Sequence, residues 1–503
     1  MKSLLSAAAL TAILAAISAP ARASELRIGL QDDADVLDPD QSRTFVGRIV
    51  YTGLCDKLVD LDKDVNIVPQ LGTDWSTTED GLQLVMNLRE GVIFHDGTPF
   101  DAEAVVYNIN RSMTLPESRR KSELSSVESV EATGPMQVTF TLKAPDASLL
   151  AQLSDRAGMM ISPTAAEAAG ADFGQKPVCS GPFKFVERIQ QDRIVLEKFA
   201  DYYDADKVSI DRVVYLPVPD TTVRLANLRS GEFDMIERVA ASDVASVKGD
   251  AKLSTQEAVG LGYMAIYANI NNGDRAKNPI GEDARVRQAF SLAIDRDALN
   301  QVVFEGTAKA GNQPWAPTSP WFNKEIPVPA RDVEAARALL AEAGLDRVPV
   351  ELQHANNPVV TQMMQVIQAM VAEAGFDVSL KATEFATLLS EQTAGNFQLS
   401  RSDWSGRPDP DGNIHQFVTC EGGINDAKYC NPEVDALLNE ARATSDPATR
   451  KQKYDAATAI LDRDLPIIYL GHQTYVFAMD KGIEGFEAYP DGMIRLKGVT
   501  DAD

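Results

Sequence analysis

Apolar residues recur at every second position at Leu82, Leu84, Met86 and Leu88, the spacing of a strand with one buried face. A turn at His95-Asp96-Gly97 follows, and Asp101 then stands where an N-cap belongs, ahead of a predicted helix over 102–112. Farther along, Val333, Ala336, Leu340 and Ala343 fall on one face of a predicted helix over 332–343 that Gly344 stops. Residues 348–353 read as a strand, 361–374 as an amphipathic helix closed by Gly375, and 376–381 as another strand. Strand, helix and strand at this spacing form a βαβ unit and imply parallel pairing. Near the start, 26–30 alternates as a strand and enters an acidic loop over 32–42, after which 45–59 reads as a helix-like apolar segment broken by the acidic stretch 60–64. The pattern is that of an α/β protein, with no internal repeat and no low-complexity linker.

The first residues change where that protein works. Lys2, an apolar run over 4–17 and Ala21-Arg22-Ala23 have the layout of a secretory signal, so cleavage after Ala23 and export to the periplasm are expected. A membrane anchor needs about 20 apolar residues, and this run is shorter and ends at Pro20. No cysteine follows the cleavage site, and no later run is long enough to span a bilayer, so no membrane insertion is expected. At 503 residues the chain has room for about two to four domains. Its net charge of -25 becomes two more negative once Lys2 and Arg22 leave, which argues against nucleic acid and anionic lipid as partners.

Four cysteines in an exported chain leave three pairings open. Cys420 and Cys430 are the natural local pair, which leaves Cys55 with Cys179, a bridge that requires two distant segments to meet. No C-x-x-C element and no H-E-x-x-H or i, i+4 histidine pair is present, so neither a metal nor another cofactor is expected. His95 and His472 read as turn and surface residues, and His415 as a loop neighbour.

The stretch Trp404-Ser-Gly-Arg-Pro-Asp-Pro-Asp-Gly-Asn, followed by Cys420 and Cys430, sets an aromatic ring, a guanidinium and two carboxylates on a backbone stiffened by Pro408 and Pro410. Such a loop can grip a small polar molecule, and the same composition also makes an ordinary surface turn. A calcium loop does not fit, because Arg407 holds the first-ligand position and Val418 the place of the bidentate glutamate.

The block 80–111, with Phe94-His-Asp-Gly-Thr-Pro-Phe-Asp at its centre, resembles the signature of the family 5 extracellular solute-binding proteins of ABC transporters, the group that includes dipeptide- and oligopeptide-binding proteins. Cys179-Ser-Gly-Pro-Phe-Lys-Phe, Leu228-Arg-Ser-Gly-Glu-Phe-Asp, Ala284-Arg-Val-Arg-Gln-Ala-Phe-Ser-Leu-Ala-Ile-Asp-Arg-Asp and the stretch 404–430 are similar to the same family in the same order. The resemblance implies an α/β, two-lobed periplasmic-binding-protein-like fold of class II, cluster C type, with an extra subdomain in the first lobe. Lobe I would take 24–270 plus 477–503 and lobe II 271–476, with chain crossings near 267–272 and 475–478. The turn Asn271-Asn-Gly-Asp marks the first crossing independently. The implied function is capture of a peptide or peptide-like solute by hinge closure and delivery to an inner-membrane permease, by a monomer. A non-peptide solute such as an opine, glutathione or a sugar or amino-acid conjugate is the alternative.

In the peptide-binding relatives the residue after the Trp-x-x triplet is an Asp that pairs with the peptide's ammonium group, and here Arg407 holds that place. The loop is one residue shorter, which lets Asp409 slide into the role. The expectation is that Arg407 faces an anionic group while Asp409 or Asp411 takes an ammonium or hydroxyls, the alternative being a salt bridge of Arg407 with Asp403 or Asp409. Where some relatives carry an Arg for the peptide carboxylate, this chain has His354, followed by Asn356 and Asn357. By resemblance alone, Thr44, Phe45, Tyr263, Tyr267 and Glu384 fall near the cleft. Trp404 reads either as a stacking wall or as core.

An exported hydrolase is the rival class. Asp409 and Asp411 are two carboxylates, but at i, i+2 on a Pro-rich loop they are poorly placed to flank a bond from opposite sides. Ser118-Arg-Arg-Lys121 has S-x-x-K spacing without its S-D-N and K-T-G companions, and G-x-S-x-G is absent, so no enzyme is expected.

Overall fold

The computed structural model describes residues 24–501, so the expected signal segment and its cleavage site lie outside the described residues. Two large sheets organise the chain. A seven-stranded sheet runs in the order Leu253–Val259, Thr474–Asp480, Met235–Ile236, Glu25–Leu30, Arg212–Pro217, Arg193–Lys198, Phe183–Ile189. A six-stranded sheet runs Lys309–Ala310, Ile467–His472, Tyr263–Ala268, Leu399–Trp404, Val348–Ala355, Phe376–Thr383. The first forms the core of lobe I and the second that of lobe II. The four-stranded sheet Gly72–Thr77, Gln83–Leu88, Gln137–Leu142, Val127–Gly134 is the extra subdomain, with its own apolar cluster.

The periodicities account for these elements. Leu84, Met86 and Leu88 point into the subdomain core from the strand Gln83–Leu88, and the helix Ala102–Thr114 is capped by Asp101, which accepts from the Ala104 amide. Leu82 lies just ahead of that strand. The βαβ unit forms in parallel register from Val348↔Phe376 to Ala355↔Thr383. Its helix, Pro358–Ala372, begins earlier than the hydrophobic pattern indicated, because Asn357 caps it and Pro358 takes the first turn. The segment from Phe45 is helical only over Phe45–Leu54, and its apolar tail becomes the short strand Val59–Leu61. The strand Tyr263–Ala268 is buried throughout, with Tyr263, Ala265 and Tyr267 in one apolar cluster and Met264, Ile266 and Ala268 in another. It is a central strand covered on both faces.

The lobe crossings fall elsewhere than expected. Leu253–Val259 pairs in the seven-stranded sheet and Tyr263–Ala268 in the six-stranded one, so the chain changes lobes through Gly260, Leu261 and Gly262. It returns through Gln473, between Ile467–His472 and Thr474–Asp480. Tyr263–Ala268 therefore belongs to lobe II, and Thr474, Tyr475 and Val476 to lobe I, which corrects the boundaries at 270 and 476. The turn at Asn271 to Asp274 had the stronger composition signal, but it follows the lobe II strand. There Asn269 donates to the carbonyls of Asn272, Gly395 and Phe397. The true crossings touch each other, the Gly260 amide donating to the Gln473 carbonyl at 2.9 Å. A Cβ on Gly262 would meet the Trp404 carbonyl oxygen at 1.6 Å, so this close approach requires glycine.

Both disulfides form. Cys55–Cys179 ties the end of the helix Phe45–Leu54 to the loop before Phe183–Ile189, and Cys420–Cys430 closes the loop after the 404–413 stretch.

Candidate ligand-binding cleft

A cavity of about 160 Å³ lies beside the crossings and is walled by both lobes. Lobe I contributes Phe45, placed at the start of its helix by the Thr44 cap, whose hydroxyl accepts from the Gly47 amide. Lobe II contributes Tyr267 and Trp404 from its central strands, Phe417 behind them, and Asn357 at the start of the crossover helix. The lobes are shut around the space. Arg43 reaches Asp426 at 2.7 Å and the Thr393 hydroxyl at 2.7 Å, Arg48 donates to the Ser405 hydroxyl at 2.7 Å, and Asn357 donates to the Pro219 carbonyl at 3.2 Å.

Of the residues singled out in the sequence, Phe45, Asn357, Trp404 and Tyr267 line the cavity. Phe45 stacks on Tyr475 with ring centres 5.5 Å apart, and the Trp404 indole N–H donates to Asn413 Oδ1 at 2.9 Å. The other expectations are corrected by the partners these residues make. Arg407 is buried, its Nε 2.9 Å from Asp155 of lobe I and its guanidinium 4.2 Å over the Trp404 ring; its ion-pair partner is neither Asp403 nor Asp409. Asp409 takes both ends of the Arg450 guanidinium at 2.8 and 2.7 Å, and Asp411 takes Arg442 at 3.0 and 2.6 Å. These three charges are spent on the scaffold, and none of them lines the cavity. His354 is buried with Nδ1 2.9 Å from the Ala355 carbonyl, and burial lowers its pKa. Glu384 is exposed and caps the helix Phe385–Thr393 through the amides of Ala386 and Thr387. Tyr263 is core, its hydroxyl 3.3 Å from that of Tyr267 and its ring edge-on to Tyr469. His472 is also buried, with Nδ1 2.8 Å from the Gly262 carbonyl at the crossing.

The charged residues that do line the cavity went unread in the sequence. Arginines 43, 120, 156, 224, 238 and 401 stand against aspartates 32, 403 and 426. Arg120 sits inside Ser118-Arg-Arg-Lys121, a motif scanned for its serine and lysine, and the others lack any local signal. Across the hinge the charges form a chain. Arg238 pairs with Glu237 and donates to the Gln473 side chain, which donates to Asp403, which pairs with Arg401. The residue that crosses between lobes is thus wired to both. Burial and the nearby Glu237 push Asp32 up to about 7, against the pull of Arg238 and Arg224.

A denser cluster stands on the lobe I side. Burial alone would raise the Asp155 carboxyl, but the guanidiniums of Arg407, Arg48 and Arg156 outweigh it and hold it well below the usual carboxylate range. The cost falls on the arginines. Burial, followed by repulsion from Arg120, lowers Arg156 to about 10, and burial with repulsion from Arg48 lowers Arg407 well below its ordinary value. Among the described residues, no group of three or more His, Cys, Asp or Glu side chains is arranged to hold a metal ion, and no helix is long and apolar enough to cross a membrane.

The chain is similar in sequence and fold to known proteins. The chain is 29% identical over 470 residues to the probable di/tripeptide-binding protein 5 of Pseudomonas aeruginosa, covering 87% of this chain and 88% of that one. It is 28% identical over 489 residues to the glutathione-binding protein GsiB of Pectobacterium atrosepticum, covering 93% and 91%. In fold it is similar to the periplasmic binding protein DppA of Helicobacter pylori in complex with the peptide STSA, with a TM-score of 0.88, 24% identity, and 95% and 98% of the two chains covered. Residues 66–425 match the description "Bacterial extracellular solute-binding proteins, family 5 Middle". On that match, and on the two-lobed fold that encloses the cavity, this chain belongs to the family 5 bacterial extracellular solute-binding proteins.

Proposed function

We propose that this protein is the periplasmic component of an ABC importer that shuts over a peptide-sized polar solute and presents it, unaltered, to a membrane permease. The observation that carries the reading is the cavity itself, closed at the junction of two sheets whose connecting segments touch each other. A water needs about 10 to 15 Å³ of such space, so the cavity accepts a solute of roughly a dozen non-hydrogen atoms. Aromatic rings from both lobes give the solute apolar walls, and the lining arginines and aspartates give it polar anchors. A solute that touches both lobes binds the closed state better than the open one and shifts the population toward it.

The class of relatives supports a di- or tripeptide or a peptide-like conjugate. The test is thermal denaturation across dipeptides, tripeptides, glutathione and opine or sugar conjugates of amino acids. A true ligand raises the melting temperature with concentration, by the equivalent of about 2.7 kcal/mol at a hundredfold excess over Kd. If no compound in that set moves the transition, the reading fails.

A further inference from the structure

Against the lobe I wall of the cavity, three lobe I arginines and Arg407 of lobe II gather on two carboxylates. Arg48, Arg120, Arg156 and Arg407 pair directly with two acids, Asp155 and Glu123. Asp155 is contacted by three of them, by Arg48 at 2.6 Å, Arg407 at 2.9 Å and Arg156 at 3.6 Å. Glu123 serves Arg120 at 2.7 Å. The acidic side chains nearby have other partners: Asp38 and Asp40 share Arg111, Asp426 pairs with Arg43, Asp491 with Arg495, and Asp35 accepts from the hydroxyls of Ser42 and Thr44. At ion-pair distance four guanidiniums thus share two carboxylates, and each of the six residues is at most 5% exposed.

The surplus faces the cavity. Arg120 and Arg156 line it, whereas Arg48 and Arg407 do not. Both are only 2% exposed and both donate to one acceptor, the Ser42 carbonyl, Arg156 at 2.8 Å and Arg120 at 3.3 Å. The Nε atom of each has no hydrogen-bond partner among the described residues. A buried guanidinium with a spare donor is costly unless an acceptor of opposite charge arrives, and its planar fork suits carboxylate and phosphate oxygens.

We propose that Arg120 and Arg156 form the anion subsite of the cavity, and that the transported solute carries a head group of two negative charges, either paired carboxylates or a phosphate monoester. This rests on the solute-binding reading above and names the chemistry of its ligand. Lobe I holds the head through these two arginines, and the aromatic floor of lobe II takes the rest of the solute. The arginines gain their missing counter-charge when the solute enters, so charge neutralisation is part of what ligand binding supplies. The Arg407 guanidinium, turned away onto Asp155, has no part in the contact.

The test uses the mature protein, with Arg156→Gln and Arg120→Gln, and reads thermal unfolding at low salt. Without any added anion the surplus charge destabilises the fold, so at least one variant melts higher than the wild type, by about 1–4 °C. Succinate and inorganic phosphate are then added singly, against chloride at matched ionic strength. One of the two stabilises the wild type more than chloride does, the larger effect naming the kind of head group, and both variants lose that response by tenfold or more in apparent affinity. Variants that both melt lower than the wild type, or anions that act no better than chloride, overturn the proposal. The solute-binding reading fails on a different result, the absence of any stabilising compound in the peptide and conjugate screen.

Discussion

The loop 404–413 and the lobe I wall are both largely buried, both held by arginine–carboxylate contacts and both within reach of the cleft, yet their charges are settled in opposite ways. In the loop, each carboxylate has its own guanidinium, Asp409 with Arg450 and Asp411 with Arg442, each held at two points. In the wall, Asp155 is shared among three arginines, and Arg120 and Arg156, which line the cavity, each keep an Nε without a hydrogen-bond partner among the described residues. A charge that is matched inside the protein is scaffold, and a charge left unmatched at a cavity is waiting for a ligand. The difference is a matter of counting partners, and residue type alone does not reveal it.

The largest expected effect breaks the loop's pairing. Arg442→Ala leaves Asp411, which is fully buried, without its counter-charge and is expected to lower stability by about 3–5 kcal/mol in urea unfolding. The double variant Arg442→Ala with Asp411→Ala loses less than the two single changes together, because no buried charge remains alone. Losses near zero would mean that the loop is not scaffold, and the contrast with the wall would dissolve. Next comes Cys420→Ser, which opens the bridge Cys420–Cys430 and is expected to cost on the order of 2–3 kcal/mol through freedom regained by the unfolded chain.

A smaller effect concerns the closed state. Arg43→Ala removes the contacts to Asp426 and Thr393 that join the lobes across the cavity. It is expected to weaken solute binding by roughly tenfold, a 1.4 kcal/mol step, and to enlarge the solute-free radius of gyration in solution scattering. An unchanged radius would show that this bridge does not hold the lobes together.

A last effect is a pH dependence at Asp32. Its folded pKa of about 7 lies above the ordinary 3.8, so between those values the folded chain keeps a proton that the unfolded chain has lost. The contribution of this group is therefore most favourable below about pH 4, falls as pH rises through that window, and is least favourable above pH 7. Asp32→Asn mimics the protonated form. Its melting temperature should match the wild type below about pH 4, exceed it increasingly up to about pH 7 and keep that gap above it, and a gap that does not widen through this window contradicts the assignment.

Much of the fold was legible because it is written locally. The alternation at Leu84, Met86 and Leu88, the caps at Asp101 and Asp332, and the strand-helix-strand spacing from Val348 to Thr383 each need only neighbouring residues to be read. The crossings were not legible, because Gly260, Leu261, Gly262 and Gln473 carry no punctuation beyond two glycines, whereas the turn after Asn269 carries a great deal. The site was legible only in part. Trp404, Phe45 and Asn357, singled out in the sequence, line the cavity. The charges of Arg407, Asp409 and Asp411 looked available because their partners come from other elements, Arg442 and Arg450 lying 31 and 41 residues away and Asp155 in the other lobe. Arg120 and Arg156 gave no signal, since an arginine is ordinary until the fold buries it.

The central claim is that solute is gripped by the lobe I wall and not by the charged loop. A crystal structure of the protein with a solute identified by the thermal screen tests it directly. The account predicts anionic oxygens within hydrogen-bond distance of Arg120 and Arg156, with Arg407 still on Asp155 and Asp409 still on Arg450. A solute seated instead on Arg407 or Asp409, with those internal pairs broken, would contradict it.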